Sequence, residues 1–263
     1  MNLVLGAIYG YDWEKVKHFV ISLRKHYDGK IAFIVDMDVM TNIDMVNKLD
    51  RYNVSMHLYD KKLESNHEIQ NNRFELYSDI IEKVYTDVEN IFITDVRDVI
   101  FQDDPFVYGL NTDLEFYFEP STFAECTCNS WWIKTMCGEE VFQEMKDRYI
   151  VCCGTIMGTR KGLLRYLDVF KQEFQNMRDS GRVFIGGEDT VAHNRLIYTN
   201  RVPGVLAIKC NGHGPVSTLE HQKTFKFDDQ GRYLNEDGKP TPVIHQWDRK
   251  KDYIDLFNKI ALE

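Results

Sequence analysis

The stretch "NIFITDVRDVIFQDDPF", residues 90–106, runs an apolar strand straight into carboxylates and then turns apolar again. Ile91, Phe92 and Ile93 read as a buried strand. Asp95 and Asp98 follow with Arg97 between them, and Val99, Ile100 and Phe101 resume the apolar pattern. In open α/β sheets, ligands bind beyond the carboxyl ends of the strands. Acids at that position are therefore candidates for a site as well as for caps. On a regular strand, residues i and i+3 point to opposite faces. Asp95 and Asp98 can address one ligand only if the strand stops near Thr94 and the chain turns. Carboxylates grouped at a strand end suit Mg2+ or Mn2+, which take oxygen ligands and commonly bridge to phosphate oxygens. The plainer alternative is a turn cap at Asp95, an ion pair at Arg97 and a solvated Asp98.

Upstream, strand-like and helix-like segments alternate. "NLVLGAIY" is a strand ahead of Gly10. Val16, Phe19, Val20, Leu23 and Tyr27 fall on one stripe of an amphipathic helix, with Asp12 as its N-cap and Gly29 as its stop. "KIAFIVDM" is a second strand, "NIDMVNKLDRY" a short helix, "NVSMHLYD" a third strand and "NNRFELYSDIIEKVY" a helix. This order predicts a largely parallel sheet with helices on both faces. Downstream, "LEFYFEP" and "YIVCCGTIMGT" read as strands, and Leu163, Leu167, Phe170 and Phe174 mark a strong helix. "TFKFDDQGRYLNEDGKPTPVIHQW" reads as a hairpin region with turns at 229–231 and 236–238, and a last helix follows. No repeat, low-complexity tract or Pro/Gly/Ser-rich linker divides the chain, so 263 residues read as a single α/β domain.

A net charge of −9 argues against a nucleic-acid binder, which usually presents a basic face. Arg249, Lys250, Lys251 and Lys259 give the last helix a basic face that reads as solvated. No segment approaches the roughly 20 apolar residues of a membrane span. "MNLVLGAIYGYDWEKVKHF" lacks the basic and cleavage regions of a signal peptide. A cytoplasmic setting, or the cytoplasmic face of a membrane, is expected. The six cysteines lack structural-zinc spacing and read as reduced thiols.

Three later stretches join the acids of residues 95–98. "CCGTIMGTRKGLLRYL" is a strand, a glycine-containing turn and a helix. "GGEDTVAHNRLIY" sets Glu188 and Asp189 after two glycines. "PVIHQWDRKKDY" puts His245 at the end of a late strand. With "TDVRDVIFQDDPF" they occur in the order of a GT-A-fold glycosyltransferase, and the chain resembles that family along almost its entire length. The likeness is to small bacterial and large-DNA-virus members with a TDxRDVxFQ variant of the DxD motif.

The resemblance implies a Rossmann-like GT-A domain. Residues 1 to about 110 would form the nucleotide-donor half, and the remainder would form the acceptor half and a C-terminal metal- and phosphate-binding segment. It implies Mn2+ (or Mg2+) held by Asp98, Asp95 and His245, with an imidazole suiting Mn2+ better. Asp95 would bind the metal, the ribose or a bridging water. Val96 stands where the standard motif has its first Asp. Tyr9 would lie under the base, Asp36 would face base or ribose, and Arg73 would contact the donor. Arg97 is a phosphate contact or a structural ion pair; Arg249 and Lys250 could hold diphosphate oxygens. Asp189 and Glu188 are the catalytic candidates, the acidic pair favouring an inverting over a retaining course. Thr190 replaces the Gln of the retaining D-Q-x-x-x-N element. Trp131 and Trp132, in a loop-like stretch, could stack on an acceptor sugar. The expected partners are a nucleotide-sugar donor, UDP-linked by resemblance, and a glycan or other hydroxyl acceptor.

Two other readings compete. "IAFIVDMDVMT" places Asp36 and Asp38 like the nucleophile motif of a haloacid-dehalogenase-type phosphatase, but no later acidic motif of the required spacing follows. A non-catalytic nucleotide-binding module would not need carboxylates and a histidine converging on a metal. No Walker-type loop, G-x-G-x-x-G or pyrophosphorylase glycine-rich basic loop follows the first strand.

Overall fold

A computed structural model describes residues 1–59, 66–181 and 186–263, with the backbone alone described for 66–71. The N-terminal half comprises β1 (Asn2–Ile8), α1 (Trp13–His26), β2 (Lys30–Val35), α2 (Met37–Thr41), α3 (Ile43–Arg51), β3 (Val54–Leu58), α4 (Asn66–Lys83) and β4 (Asn90–Thr94). Then come β5 (Val99–Phe101), β6 (Leu114–Thr122), α5 (Thr127–Cys137), α6 (Glu139–Met145), β7 (Tyr149–Val151), β8 (Thr155–Thr159), α7 (Arg160–Asp179) and α8 (Glu188–Tyr198). The chain closes with β9 (Leu206–Lys209), β10 (Val216–Thr218), β11 (Val243–His245) and α9 (Ile254–Leu262).

The main sheet has the order β3-β2-β1-β4-β8-β6-β7, with β9 beside β6. It is parallel through β3, β2, β1 and β4. Most of its pairings are parallel, as expected, β9 beside β6 included; beyond β4, however, β8 runs antiparallel to both β4 and β6, and β7 antiparallel to β6. The sheet is mixed. "YIVCCGTIMGT" is two strands separated by Cys152–Gly154. The expected hairpin region holds two isolated antiparallel bridges, Phe227 to Tyr233 and Leu234 to Pro240, about turns closed by Gly231 and Gly238, and it ends in β11. With β11 a second sheet forms, ordered β10-β11-β5.

Local chemistry explains the parts that position the site. The Asp12 side chain accepts from Lys15 N at 3.1 Å and starts α1, which buries Val16, Phe19, Val20 and Leu23. The helix stops at His26, ahead of Gly29. One core layer packs α4, α7 and α8 against one face of the main sheet. Another joins α1 and α3 to the opposite face and takes in Tyr117 of β6, Val216 of β10 and Val243 of β11. A third lies under α9, around Tyr233, Trp247 and Phe257. All six cysteines are free thiols, four of them buried. Among the described residues, no helix is long and apolar enough to cross a membrane.

The motif stretch passes from one sheet to the other. β4 belongs to the main sheet, and β5 pairs antiparallel with β11 of the second. Val99, Ile100 and Phe101 are fully buried, and burying side chains of this size contributes about 1.5–3 kcal/mol each. Phe101 meets Phe19 of α1 edge-on at 5.0 Å between ring centres. The two apolar runs anchor the stretch in separate sheets and leave Asp95–Asp98 at the crossing.

Candidate metal and donor site

The crossing is fixed by backbone and by small residues. Asp95 N donates to Gly154 O at 2.8 Å. The Val96 side chain fills the space above Gly6, where a Cβ would come within 2.4 Å of it. Gln246 N donates to Asp98 O at 2.7 Å, and His245 pairs with Val99 in the antiparallel register of β5 and β11. The strand does end at Thr94, and the turn brings both acids to one place.

One potential ligand atom from each of Asp95, Asp98 and His245 lies within 4.8 Å of the others. His245 Nε2 is 3.6 Å from Asp95 Oδ2 and 4.0 Å from Asp98 Oδ1, too far for hydrogen bonds. This nitrogen is buried without a hydrogen-bond partner. The other ring nitrogen, Nδ1, lies 3.4 Å from both Cys152 Sγ and Thr218 Oγ1. An imidazole held at one nitrogen and aiming the other at two carboxylates is what a metal-ligating histidine requires. The donor set fits a divalent ion that accepts both oxygen and nitrogen, which favours Mn2+ over Mg2+. Burial pulls the His245 imidazole down, but Cys152, Asp95 and Asp98 hold it well above its ordinary value. Burial likewise pushes the Asp95 carboxyl up, and Arg73 and His245 outweigh it and hold it far below the carboxylate range. Asp95 is thus an anion, and a cation bound there would take the place of the imidazole proton.

Arginines surround the triad. Arg73, buried on α4, pairs with Asp95 and places Nη2 3.1 Å from Asp189 Oδ2. It bridges the carboxylates of two elements. Arg249 Nη1 is 2.8 Å from Asp98 Oδ2 and also binds Asp248. Arg97 reaches Asp98 at 3.4 Å and Asp248 at 3.3 Å, with its side chain 43% exposed. All three arginines are engaged with carboxylates, and Arg97 and Arg249 stand at the open rim. The Lys250 ammonium donates to the carbonyls of Glu220 and Gln222.

Asp189 and Glu188 open α8. The Asp189 carboxylate is shared between Arg73 and Thr190 N. Burial raises its pKa despite Arg73. Glu188 is 1% exposed, and its Oε1 accepts from Gly186 N. Gly187, at φ +76°, allows Trp132 to lie against the same segment; a Cβ there would fall 2.3 Å from the indole. Trp131 and Trp132 lie on a helix, α5, which corrects the loop expectation. The burial of Asn129, Ile133, Met136 and Cys137 shows a helical stripe beneath them. Trp132 borders the acidic segment, and Trp131 is 53% exposed.

At the donor end, the half-buried Tyr9 packs on Tyr59 with ring centres 5.7 Å apart. Asp36 accepts from Gly10 N at 2.7 Å and Val39 N at 2.9 Å, capping α2 and tying down the loop after β1. Its carboxylate is committed to backbone, and Asp38 is exposed on α2.

Sequence reasoning passed over four residues of this site. Tyr11 follows Gly10, whose φ of +57° breaks the strand alternation. Burial raises the pKa of its phenol, and the charges of Asp95, Arg97, Asp98 and Arg73 act on it. Glu119 of β6 is buried in the field of His245, Glu220, Arg249 and Asp95. Cys152 and Thr218 support His245. The adjacent cysteines were the one available signal among these, since they interrupt two strands at the level of the acids. No protein-family model matches the chain, and no curated protein matches it.

Proposed function

We propose that this chain is a metal-dependent glycosyltransferase of GT-A type, transferring a sugar from a nucleoside-diphosphate-sugar, preferentially a UDP-sugar, to a hydroxyl of a glycan or similar acceptor. The observation that carries the reading is the convergence of Asp95, Asp98 and His245, with His245 Nε2 buried, unpartnered and facing both acids. A non-catalytic nucleotide-binding module has no need of that arrangement.

When bound, Mn2+ supplies positive charge to the departing nucleoside diphosphate. The residues of the chain supply the rest. Arg97 and Arg249 hold the Asp98 carboxylate in place, and their partly exposed position lets them meet diphosphate oxygens. Tyr11 offers a phenolic O–H on the same side. Tyr9 and Asp36 shape the floor beneath the nucleoside, Asp36 by fixing Gly10. Arg73 holds Asp95 and Asp189 at a fixed separation, so the metal end and the sugar end of the cleft move as one unit. Trp132 offers an apolar wall on the acceptor side.

The test is hydrolysis of a panel of UDP- and GDP-sugars with water as acceptor. Release of nucleoside diphosphate is expected with Mn2+, with loss in chelator and in Asp98→Asn. Phosphate release from simple phosphate esters, with no nucleotide-sugar consumed, would contradict the proposal.

A further inference from the structure

We infer that Glu119, and neither Asp189 nor Glu188, is the carboxylate that takes the proton from the attacking hydroxyl. The inference rests on the glycosyltransferase reading and goes beyond it, because that reading leaves the proton acceptor open. Alternate residues of a strand share a face, so Glu119 lies on the face of β6 that carries Tyr117. Tyr117 belongs to the buried apolar cluster that holds Val216 and Val243 of the second sheet, and β6 lies against β10. Glu119 therefore points between the sheets, toward the ends of β10 and β11, where Thr218 pairs with His245. It is 8% exposed. Among the described residues, its carboxylate makes no hydrogen bond or ion pair. A buried carboxyl with no partner is costly and calls for one. An acceptor hydroxyl, donating its proton, is a partner of the right chemistry.

The other acids are placed differently. Asp95 and Asp98 face His245. Asp189 is paired with Arg73 and receives Thr190 N. Glu188 is 1% exposed: its Oε1 receives Gly186 N, and its Oε2 is buried without a partner, closed off from solvent. The charged groups acting on Glu119 are His245 on β11, Glu220 after β10, Arg249 in the turn beyond β11, and Asp95 after β4. Burial, together with Glu220 and Asp95, pushes its carboxyl up to about 7 against the pull of His245 and Arg249. That is the range in which a carboxylate is an effective base near neutral pH.

In the step assigned here, the acceptor oxygen forms a bond to the anomeric carbon as the bond from that carbon to the diphosphate oxygen breaks. The bonding pair leaves with the diphosphate, and the hydroxyl proton passes to Glu119. Attack opposite the leaving group inverts the anomeric centre.

The experiment compares Glu119→Gln, Glu119→Asp and Asp189→Asn with the wild type. UDP affinity in Mn2+ is measured by calorimetry and UDP-sugar turnover by hydrolysis. Glu119→Gln should retain UDP affinity within about threefold and lose about 10²–10⁴-fold in turnover, with Glu119→Asp partly restoring it. Loss of UDP binding by the wild type would overturn the glycosyltransferase reading and this inference with it. Normal UDP binding with Glu119→Gln fully active would overturn this inference alone.

Discussion

Gly154 stands where any larger residue would press on the candidate ligands. A Cβ at this position would come within 2.4 Å of Asp95 Oδ2 and 3.1 Å of His245 Cε1, and its carbonyl already anchors Asp95 N. Neither ligand is the loose end of a surface side chain, so the strain falls on the triad. Gly154→Ala should lower Mn2+ affinity by at least about tenfold while leaving the circular dichroism spectrum unchanged. Titration of bound Mn2+ by electron paramagnetic resonance checks this, and unchanged affinity would contradict it. The same geometry explains what was readable in advance. Asp95, Asp98 and His245 announce themselves because charged or titratable groups at apolar strand ends are unusual. Glu119 does not, because an acid alternating with Phe118 looks like the solvent face of an ordinary strand. Only the second sheet, packed over that face, buries it. Arg73 was named as a donor contact, but its bridge between Asp95 and Asp189 was not foreseen, since nothing in the sequence places α4 beside both acids.

The elements themselves were legible in proportion to their periodicity. The helix α1 and its Asp12 cap follow from an apolar stripe and a capping side chain. The helix α5 was obscured because its two tryptophans drew attention from the stripe beneath them. Helix α8 carries a testable consequence of burial. His193 is fully buried, and Tyr166 Oη lies 2.6 Å from its Nδ1. Burial alone lowers its pKa to about 3. An unfolded histidine titrates near about 6.5, so between that pH and about 3 the unfolded chain binds a proton that the folded chain refuses. The stabilisation is full above the unfolded value and falls with acid by about 1.4 kcal/mol per pH unit from this group. Urea unfolding of His193→Gln at pH 6 and pH 4 should therefore show the variant gaining about 2–3 kcal/mol on the wild type as pH falls. Parallel pH dependences would contradict the buried neutral imidazole.

The architecture was half legible for a physical reason. Alternating strands and helices specify the parallel part, because each crossover returns the chain to the same end of the sheet. In the second half, short apolar runs such as "YIVCCGTIMGT" carry no sign of direction, and β8 inserts antiparallel beside β4. The second sheet was invisible for the same reason: β5, β10 and β11 are each three residues long. Yet this small sheet completes the site, since it delivers His245 to the acids beyond the carboxyl end of β4. The motif stretch resumes apolar residues after its carboxylates in order to reach that sheet.

The central claim is that acids and histidine from two sheets hold a cation for a nucleoside diphosphate. Calorimetric titration of UDP into the wild type and Asp98→Ala, with and without Mn2+, tests it most directly. The account predicts binding by the wild type that requires Mn2+ and is abolished in Asp98→Ala. UDP binding of equal strength without the metal, or no UDP binding in its presence, would contradict it.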